Sequence, residues 1–289
     1  MAFARPPRPG YTRAIPLPRP KRPLLYSHRG ASRERPENTL PSFLRALEIG
    51  TDAIETDAHM TADGHVVLSH DPDGWRMCAV RKRIRDWPLA EVQSWDAGFG
   101  FVDADGHRPF AGRGYRIPTL AEVLDALPDT PLNIDLKQTD PPIAPAVVRL
   151  LRERDAERRV TLASFHREPL DLVRRLGYRG PTALSEDDIR WLLLAPRCVW
   201  RALRRPGDAA QVPPLHGRIR FARRRFIRKC HQLGLRVDYW TINDPGEAAR
   251  LLDAGADGIM TDDPAAIAPV FRSRYPDFPS SAPPRPAGA

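Results

Sequence analysis

Cysteine is scarce in this chain of 289 residues. Cys78, Cys198 and Cys230 lie far apart, which excludes a disulfide framework and a cysteine-based zinc motif. No stretch approaches the roughly 18 consecutive apolar residues of a membrane span. The N-terminus also lacks the apolar segment of a secretory signal. These absences predict a cytoplasmic protein whose thiols are ordinary small apolar side chains.

Acidic residues are missing from two segments of the chain, which carries a formal net charge of +9. Six basic residues precede Pro23, and seven more lie between Arg218 and Lys229. Such patches attract phosphate-bearing partners, including anionic membranes and nucleic acids. We favour the simpler interpretation, a solubilising tail and a solvated helix face.

Both ends of the chain are rich in proline and arginine or serine. Residues 1–22 and 273–289 bury too little apolar surface to repay ordering, so we predict tails there. Residues 23–272 are predicted to form a single catalytic domain. Within it, residues 74–116 are too long for an ordinary loop. Because this stretch follows His70 directly, we interpret it as a lid or a substrate-side insertion.

Apolar strand-like and helix-like segments alternate between the tails. The predicted strands are Leu24–Ser27, Asp52–His59, Val66–Leu68, Leu132–Leu136, Val160–Phe165, Thr182–Leu184, Leu235–Ile242 and Gly258–Met260. Repeated βα units predict a parallel sheet. With one weak strand near Gly217–Arg220, the units would close into an α/β fold of the (β/α)8 TIM-like barrel type. An open doubly wound sheet is the alternative, but no glycine-rich dinucleotide fingerprint follows the first strand.

Two carboxylates stand two residues apart near a predicted strand end. Glu55 and Asp57 project to the same side of a strand, and they repel each other unless a cation lies between them. Hard divalent ions such as Mg²⁺ and Ca²⁺ take oxygen ligands, and Asp135 follows another strand closely enough to add a third. The alternative is that one carboxylate caps a helix or pairs with an arginine.

Two histidines also end predicted strands, where barrel enzymes carry their functional groups. His28 and His70 flank the Glu55–Asp57 pair in the chain, and histidine is the usual acid or base near neutral pH. One would activate the nucleophile and the other would protonate the leaving oxygen. A single such histidine more often fills a buried structural position, but two around a carboxylate pair favour catalysis.

Further strand-end residues suit a phosphate-bearing substrate. Arg29 and Lys137 offer positive charge for phosphate oxygens, although either could instead neutralise the acidic ligands. Trp240 could form an apolar wall against a substrate alkyl chain, and core packing is the equal alternative.

An ordered series of short motifs resembles the glycerophosphodiester phosphodiesterase family. The motifs are His28-Arg29-Gly30-Ala31-Ser32, Pro36-Glu37-Asn38-Thr39, Ile54-Glu55-Thr56-Asp57, Thr61-Ala62-Asp63-Gly64, Ser69-His70-Asp71, Ile117-Pro118-Thr119-Leu120, Leu132-Asn133-Ile134-Asp135-Leu136-Lys137, Gln211-Val212-Pro213, Trp240-Thr241-Ile242-Asn243 and Gly255-Ala256-Asp257-Gly258-Ile259-Met260-Thr261-Asp262. Each is short, but together they span nearly all of Leu24–Ile267.

The resemblance implies a TIM-like barrel that binds Mg²⁺ or Ca²⁺ through Glu55, Asp57 and Asp135. It assigns acid–base catalysis to the two histidines and phosphate binding to Arg29 and Lys137. The implied substrates are glycerophosphodiesters, cleaved to glycerol 3-phosphate and an alcohol. The third ligand in the family is usually glutamate, so the shorter Asp135 is a departure.

Other functions remain open at this stage. One is a lysophospholipase D-like or related phospholipase activity on lysolipids or sphingolipids. Another is a non-catalytic basic module for anionic membranes or nucleic acid, and a third is an inactive barrel. No nucleic-acid motif is present, so we expect no nucleic-acid partner. The apolar stretch Trp191–Trp200 and the arginines after it allow transient contact with a membrane surface, although a barrel helix with a basic edge is the favoured interpretation. The sequence indicates no oligomeric state.

Overall fold

The computed structural model of the protein describes residues 21–196, 200 and 207–279. Strands and helices alternate along most of this length. The strands are β1 (Leu24–His28), β2 (Ala53–Met60), β3 (Val66–Leu68), β4 (Asp73–Gly74), β5 (Val80–Arg83), β6 (Leu132–Leu136), β7 (Val160–Ala163), β8 (Ala209–Val212), β9 (Leu215–His216), β10 (Ile219–Arg220), β11 (Arg236–Tyr239) and β12 (Gly258–Thr261). The α-helices are α1 (Leu40–Ile49), α2 (Trp75–Cys78), α3 (Leu89–Val92), α4 (Leu120–Ala126), α5 (Ala144–Glu153), α6 (Arg167–Arg175), α7 (Glu186–Leu194), α8 (Arg224–Gln232), α9 (Pro245–Ala254) and α10 (Pro264–Arg274).

Parallel strands close into a barrel. The sheet runs in the order β7-β6-β2-β1-β12-β11-β8. Thr182 pairs in parallel with Leu162 of β7, and Ala183 pairs in parallel with Ala209 of β8. This two-residue segment joins the two edges of the sheet and supplies the eighth parallel strand. The predicted (β/α)8 TIM-like barrel is therefore confirmed.

The position of one barrel strand was predicted wrongly. The weak strand expected near Gly217–Arg220 belongs to a separate antiparallel hairpin, in which β10 pairs with β9. The barrel strand is β8, whose short Ala-Ala-Gln-Val sequence lacks a strong apolar run but whose two alanines are buried between neighbouring strands. Small residues fit a crowded barrel interior, and such a segment gives little signal in the sequence.

The start and the end of helix α1 are fixed by local sequence. The Thr39 side chain accepts a hydrogen bond from the amide of Ser42 and begins the helix, and Gly50 ends it at a φ of 101°. Phe43 faces the barrel and is fully buried. Burial of such a side chain stabilises the fold by about 1.5–3 kcal/mol. Both ends of α1 are therefore fixed by local sequence.

Strand β3 brings the chain back to the rim. Strand β2 runs beyond the barrel, and its last residues pair with β3 in an antiparallel arrangement. The amide of Ser69 then donates a hydrogen bond to the carbonyl of Asp57 at 3.0 Å. His70 follows directly, so the reversal places it beside the carboxyl end of β2.

The segment predicted as an insertion carries its own small elements. It contains the β4–β5 hairpin, α2, a 3₁₀ turn at Ile84–Asp86 and α3. A hydrophobic cluster separate from those of the barrel includes Ile84, Val92 and Trp95, all buried. Val67 of β3 and Ile117 belong to the same cluster, so the insertion packs against β3.

The described fold extends slightly beyond the predicted domain limits. Arg22 forms a salt bridge with Asp52 at 2.7 Å, helix α10 continues to Arg274, and Phe278 is buried. Residues 1–20 and 280–289, which contain most of both predicted tails, lie outside the described residues.

Part of the apolar stretch Trp191–Trp200 belongs to a barrel helix. Trp191 and Leu194 lie on α7 and are exposed, whereas residues 197–199 and 201–206 lie outside the described residues. Within the described part of the chain, no helix combines the length and the apolar character that crossing a membrane requires.

Candidate active site

Strand register brings four of the predicted site residues into two neighbouring pairs. His28 on β1 lies opposite Glu55 on β2. Asp57, two residues further along β2, lies opposite Asp135 on β6. Because the carboxyl ends of parallel strands meet at one rim, these side chains form a single cluster.

His28 is fixed by a carboxylate that directly follows the last barrel strand. Its Nδ1 lies 2.6 Å from Oδ1 of Asp262, and its Nε2 lies 3.7 Å from Oε2 of Glu55. Asn243 donates a hydrogen bond to the other oxygen of Asp262 at 2.9 Å. Burial lowers the pKa of His28, but Glu55 and Asp262 outweigh it, so the net shift is upward.

Glu55 is a buried carboxylate with an unsatisfied oxygen. Its Oε2 has no hydrogen-bond partner among the described residues. Burial, and next the charge of Asp57, raise the pKa of Glu55 to about 8. A carboxyl group in this position holds a proton near neutral pH unless a cation replaces it.

Lys137 lies between the other two predicted metal ligands. Its Nζ is 3.0 Å from Oδ1 of Asp57 and 2.7 Å from Oδ2 of Asp135. Although burial opposes the charge, the two carboxylates raise the pKa of Lys137 to about 12. The same ammonium and Arg29 lower the pKa of Asp57 against the effect of burial. Burial nevertheless raises the pKa of Asp135, whose Oδ1 has no partner among the described residues.

Arg29 interacts with carboxylates in this structure. Its backbone has a φ of 58°, which turns the chain away from β1. Its Nε lies 3.2 Å from Oδ2 of Asp57, and its Nη1 donates a hydrogen bond to Glu37 at 3.1 Å. Asn38 also donates a hydrogen bond to Asp57, at 3.1 Å. Arg29 therefore neutralises acidic residues of the cluster, which is the alternative that the sequence left open. Its guanidinium also lies at the rim.

His70 is held from the insertion side. Its Nδ1 lies 2.8 Å from Oδ1 of Asp71, and the other oxygen of Asp71 accepts a hydrogen bond from Nε of Arg76 at 2.6 Å. Arg76 also donates hydrogen bonds to both oxygens of Glu37, at 2.7 and 2.8 Å. These bonds hold the pKa values of Asp71 and Glu37 below their usual range, against the effect of burial.

Trp240 stands at the same rim beside an exposed phenylalanine. The ring of Trp240 lies edge-on to that of Phe165, with 5.7 Å between the centroids. Phe165 is 51% exposed, and Nζ of Lys137 lies 5.5 Å from its centroid. An apolar surface therefore adjoins the charged cluster.

The carboxylates fit a divalent cation by their chemistry. All three offer oxygen ligands, and two buried oxygens, Oε2 of Glu55 and Oδ1 of Asp135, have no described partner. Their ligand atoms are less tightly grouped than those of Asp103, Asp105 and His107, which lie within 4.8 Å of one another in the insertion. The group in the insertion lies on a largely exposed loop. The rim carboxylates are further apart because the ammonium of Lys137 lies between Asp57 and Asp135.

Sequence reasoning gave no role to the two carboxylates that hold the histidines, although both belong to the short motifs. Asp262 follows β12 directly, so its position at a strand end was an available signal. Asp71 carries a similar signal because it adjoins His70. The Glu37–Arg76 pair joins positions 39 residues apart, and no local pattern indicates it.

Comparison with known proteins identifies the family. The family model for "Glycerophosphoryl diester phosphodiesterase family" matches residues 28–266, which include the whole cluster described above. The chain belongs to the glycerophosphoryl diester phosphodiesterase family. The resemblance drawn from the short motifs is thereby confirmed, and this chain is an enzyme of the phosphodiesterase class.

Relatives in this family match over most of their length. A glycerophosphodiester phosphodiesterase of Caldanaerobacter subterraneus subsp. tengcongensis is 32% identical over 254 residues, which cover 86% of this chain and 98% of that protein. Human lysophospholipase D GDPD1 is 28% identical over 265 residues and 83% of each chain. The crystal structure of a glycerophosphodiester phosphodiesterase from Agrobacterium tumefaciens shares the fold, with a TM-score of 0.69 and 24% identity over 85% of this chain and 98% of that one.

Proposed function

We propose that this enzyme hydrolyses glycerophosphodiesters to glycerol 3-phosphate and an alcohol, with His28 and His70 as its acid–base pair. The family supports the substrate class, and one relative is named a glycerophosphodiester phosphodiesterase. The rest of the proposal is supported by the cluster at the barrel rim.

One observation carries the assignment of the histidines. Each imidazole is held through Nδ1 by a carboxylate, Asp262 for His28 and Asp71 for His70. A carboxylate at Nδ1 fixes the ring and leaves Nε2 for proton transfer. Lys137, Arg29 and, to a smaller extent, His70 lower the pKa of Asp57, so the ring acts on the same cluster.

The proton transfers follow from this arrangement. One imidazole accepts a proton from the attacking hydroxyl, which is water or the neighbouring glycerol hydroxyl, as a new P–O bond forms. The other imidazole donates a proton to the alcohol oxygen as the old P–O bond breaks. When water attacks, this step gives glycerol 3-phosphate directly. When the glycerol hydroxyl attacks, it gives a cyclic glycerol phosphate, and water then opens the ring with the two imidazoles in exchanged roles. Arg29 and Lys137 bind the phosphoryl oxygens when the substrate phosphate replaces the carboxylates as their partner.

Glu55, Asp57 and Asp135 would hold the divalent cation, Mg²⁺ or Ca²⁺. When bound, such an ion polarises the phosphoryl group and balances negative charge on its oxygens. The unsatisfied oxygens of Glu55 and Asp135 support this assignment. Asp135 is shorter than the usual glutamate, and its Oδ2 contacts Lys137, which leaves Oδ1 for the ion.

A lysophospholipase D-like activity is the second candidate function. One relative carries the name lysophospholipase D, and the exposed Phe165 beside Trp240 offers an apolar surface for an acyl chain.

We also retain a cytoplasmic location as a proposal, since Cys78 and Cys230 are free and buried.

A hydrolysis screen tests these assignments. Glycerophosphocholine, glycerophosphoethanolamine and lysophosphatidylcholine are compared with Mg²⁺, with Ca²⁺ and with EDTA. His28→Ala and His70→Ala are each expected to lower turnover by about 10²–10⁴-fold. His65→Ala is the matched control, because this exposed histidine lies in the turn between β2 and β3.

Three results would contradict the proposal. Full turnover in either histidine variant would reject the acid–base pair, and full activity in EDTA would reject the metal. No hydrolysis of any phosphodiester, together with salt-sensitive binding of anionic vesicles or nucleic acid, would favour the non-catalytic basic module instead.

A further inference from the structure

A small hairpin stands exposed after strand β8. Strands β9 and β10 pair antiparallel, with His216 opposite Ile219 and Leu215 opposite Arg220. Gly217 turns the chain between them at a φ of 57°. Leu215 is 56% exposed and Ile219 is 43% exposed, so the hairpin presents aliphatic side chains to solvent.

The hairpin stands at the rim that carries the active-site cluster. It follows the carboxyl end of β8, where barrel enzymes place their functional loops. At its base, the carbonyl of Val212 accepts a hydrogen bond from the amide of Trp240 at 3.3 Å. Just beyond it, the carbonyl of Phe221 accepts one from the Tyr239 hydroxyl at 2.8 Å. Both ends of the hairpin are thus attached to the end of β11.

Arginines surround these aliphatic side chains. Arg218 and Arg220 lie in the hairpin, Arg223 and Arg225 follow it, and all four are exposed. No salt bridge to these four arginines occurs within the described residues. The segment Arg218–Lys229 also contains no acidic residue. The hairpin therefore combines exposed aliphatic groups with uncompensated positive charge.

Leu44 and Trp191 are exposed apolar residues that lack this combination. Leu44 on α1 is 42% exposed, but the adjacent Arg45 pairs with Glu34 and Glu48. Arg190, next to Trp191 on α7, likewise pairs with carboxylates of its own helix. Because these arginines are already paired with carboxylates, the surfaces around Leu44 and Trp191 offer no unpaired positive charge of Arg45 or Arg190 to an anionic partner.

We propose that the hairpin Leu215–Arg220, with Arg223 and Arg225, docks the enzyme on an anionic lipid surface. Aliphatic side chains enter the boundary between headgroups and acyl chains, and arginines bind the phosphates above them. Single-stranded nucleic acid is usually bound by stacking its bases on Phe, Tyr or Trp rings, and residues 215–220 contain none of these three residue types. The proposal does not require the reaction inferred above, although docking would bring the rim to an amphiphilic substrate.

Vesicle sedimentation with the full chain tests the docking surface. Vesicles of phosphatidylcholine alone are compared with vesicles of equal parts phosphatidylcholine and phosphatidylglycerol. We expect binding to the mixed vesicles alone. Arg218→Ala combined with Arg220→Ala should weaken that binding roughly tenfold or more. The charge-matched control is Arg158→Ala combined with Arg179→Ala, two exposed arginines that precede barrel strands at the opposite face.

A second pair of variants tests the aliphatic contribution. Ile219→Ser should weaken binding to mixed vesicles, whereas Leu44→Ser should not, although the two side chains are almost equally exposed, at 43% and 42%. Thermal unfolding of each variant verifies that the fold is retained.

The readouts separate this proposal from the proposed reaction. Sedimentation needs no turnover, and hydrolysis of free glycerophosphocholine should be unchanged in the hairpin variants. Unchanged vesicle binding in the hairpin variants would overturn the docking surface. Equal loss in both arginine pairs would show general electrostatic attraction instead. Preferential binding of a single-stranded RNA oligonucleotide, lost in Arg218→Ala with Arg220→Ala, would assign the surface to nucleic acid.

Discussion

Asp262 fixes the ring of His28 through a 2.6 Å contact between Oδ1 and Nδ1, although 234 positions separate the two residues. The contact joins β1 to the loop after β12, and β1 and β12 are neighbouring strands in the barrel. The ends of the first and last barrel strands are therefore joined by one side-chain contact. Asn243, after β11, extends this contact by a further hydrogen bond.

Asp262→Asn should shift the pH dependence of turnover. Burial lowers the pKa of His28, while Glu55 and Asp262 raise it. Removing the Asp262 charge therefore lowers the pKa of His28, and the limb of the pH profile that reports His28 moves to lower pH. This direction holds whether His28 acts as acid or base. A profile of kcat/KM against pH measures the shift, with Asp244→Asn as a control in the neighbouring loop.

Arg76→Ala should lower kcat more than it changes KM. Arg76 positions Asp71, which holds His70, so its loss allows the imidazole to turn away from the cluster. We expect a loss of about tenfold, with partial recovery in Arg76→Lys. Arg81→Ala, which removes an exposed arginine of the same insertion stacked on Trp75, is the control. Equal activity in Arg76→Ala and Arg81→Ala would contradict the positioning role.

The metal-free enzyme should lose stability as pH rises between 4.5 and about 8. The folded-state pKa of Glu55 is raised, so the folded protein binds a proton that the unfolded chain releases in this window. Glu55→Gln should flatten this dependence. Added Mg²⁺ or Ca²⁺ should raise the unfolding temperature most at the alkaline end, where the carboxylate is available. Thermal unfolding across pH, with and without EDTA, measures both effects.

Phe165→Ala should separate the two candidate substrate classes. The exposed ring adjoins Trp240 and Lys137, so its loss removes apolar surface without breaking a hydrogen bond. We expect KM for lysophosphatidylcholine to rise by roughly tenfold, while glycerophosphocholine turnover changes little. Phe165→Leu should restore part of the affinity. An equal effect on both substrates would argue against an acyl-chain surface at this position.

The strand-end residues were predictable because short-range rules govern them. An apolar run that stops at a polar residue indicates a strand end, and parallel strands collect their ends at one rim. His28, Glu55, Asp57 and Asp135 follow these rules, and the register confirms their adjacency. Their chemical roles remain predictions.

Long-range features escaped the sequence for a physical reason. Strand β8 has only four residues and two of them are alanines, so its burial depends on neighbours distant in the chain. Ion pairs such as Glu37–Arg76 arise only after the insertion has folded over the rim. The position of Lys137 between Asp57 and Asp135 likewise depends on the packing of two strands and not on the spacing of residues along the chain alone.

The two imidazoles belong to different modules of the protein. His28 lies on a barrel strand, whereas His70 follows the reversal of β3, and its partner Asp71 is bound by Arg76 of the insertion. The hydrophobic cluster of the insertion also includes Val67 of β3 and Ile117, so a graft that exchanged the insertion for a short turn would have to cover these two side chains. Such a graft would remove Arg76, which binds Asp71 beside His70, and leave the contact between Asp262 and His28 in place. Sequence divergence in the insertion can therefore change the support of one imidazole and leave that of the other unchanged.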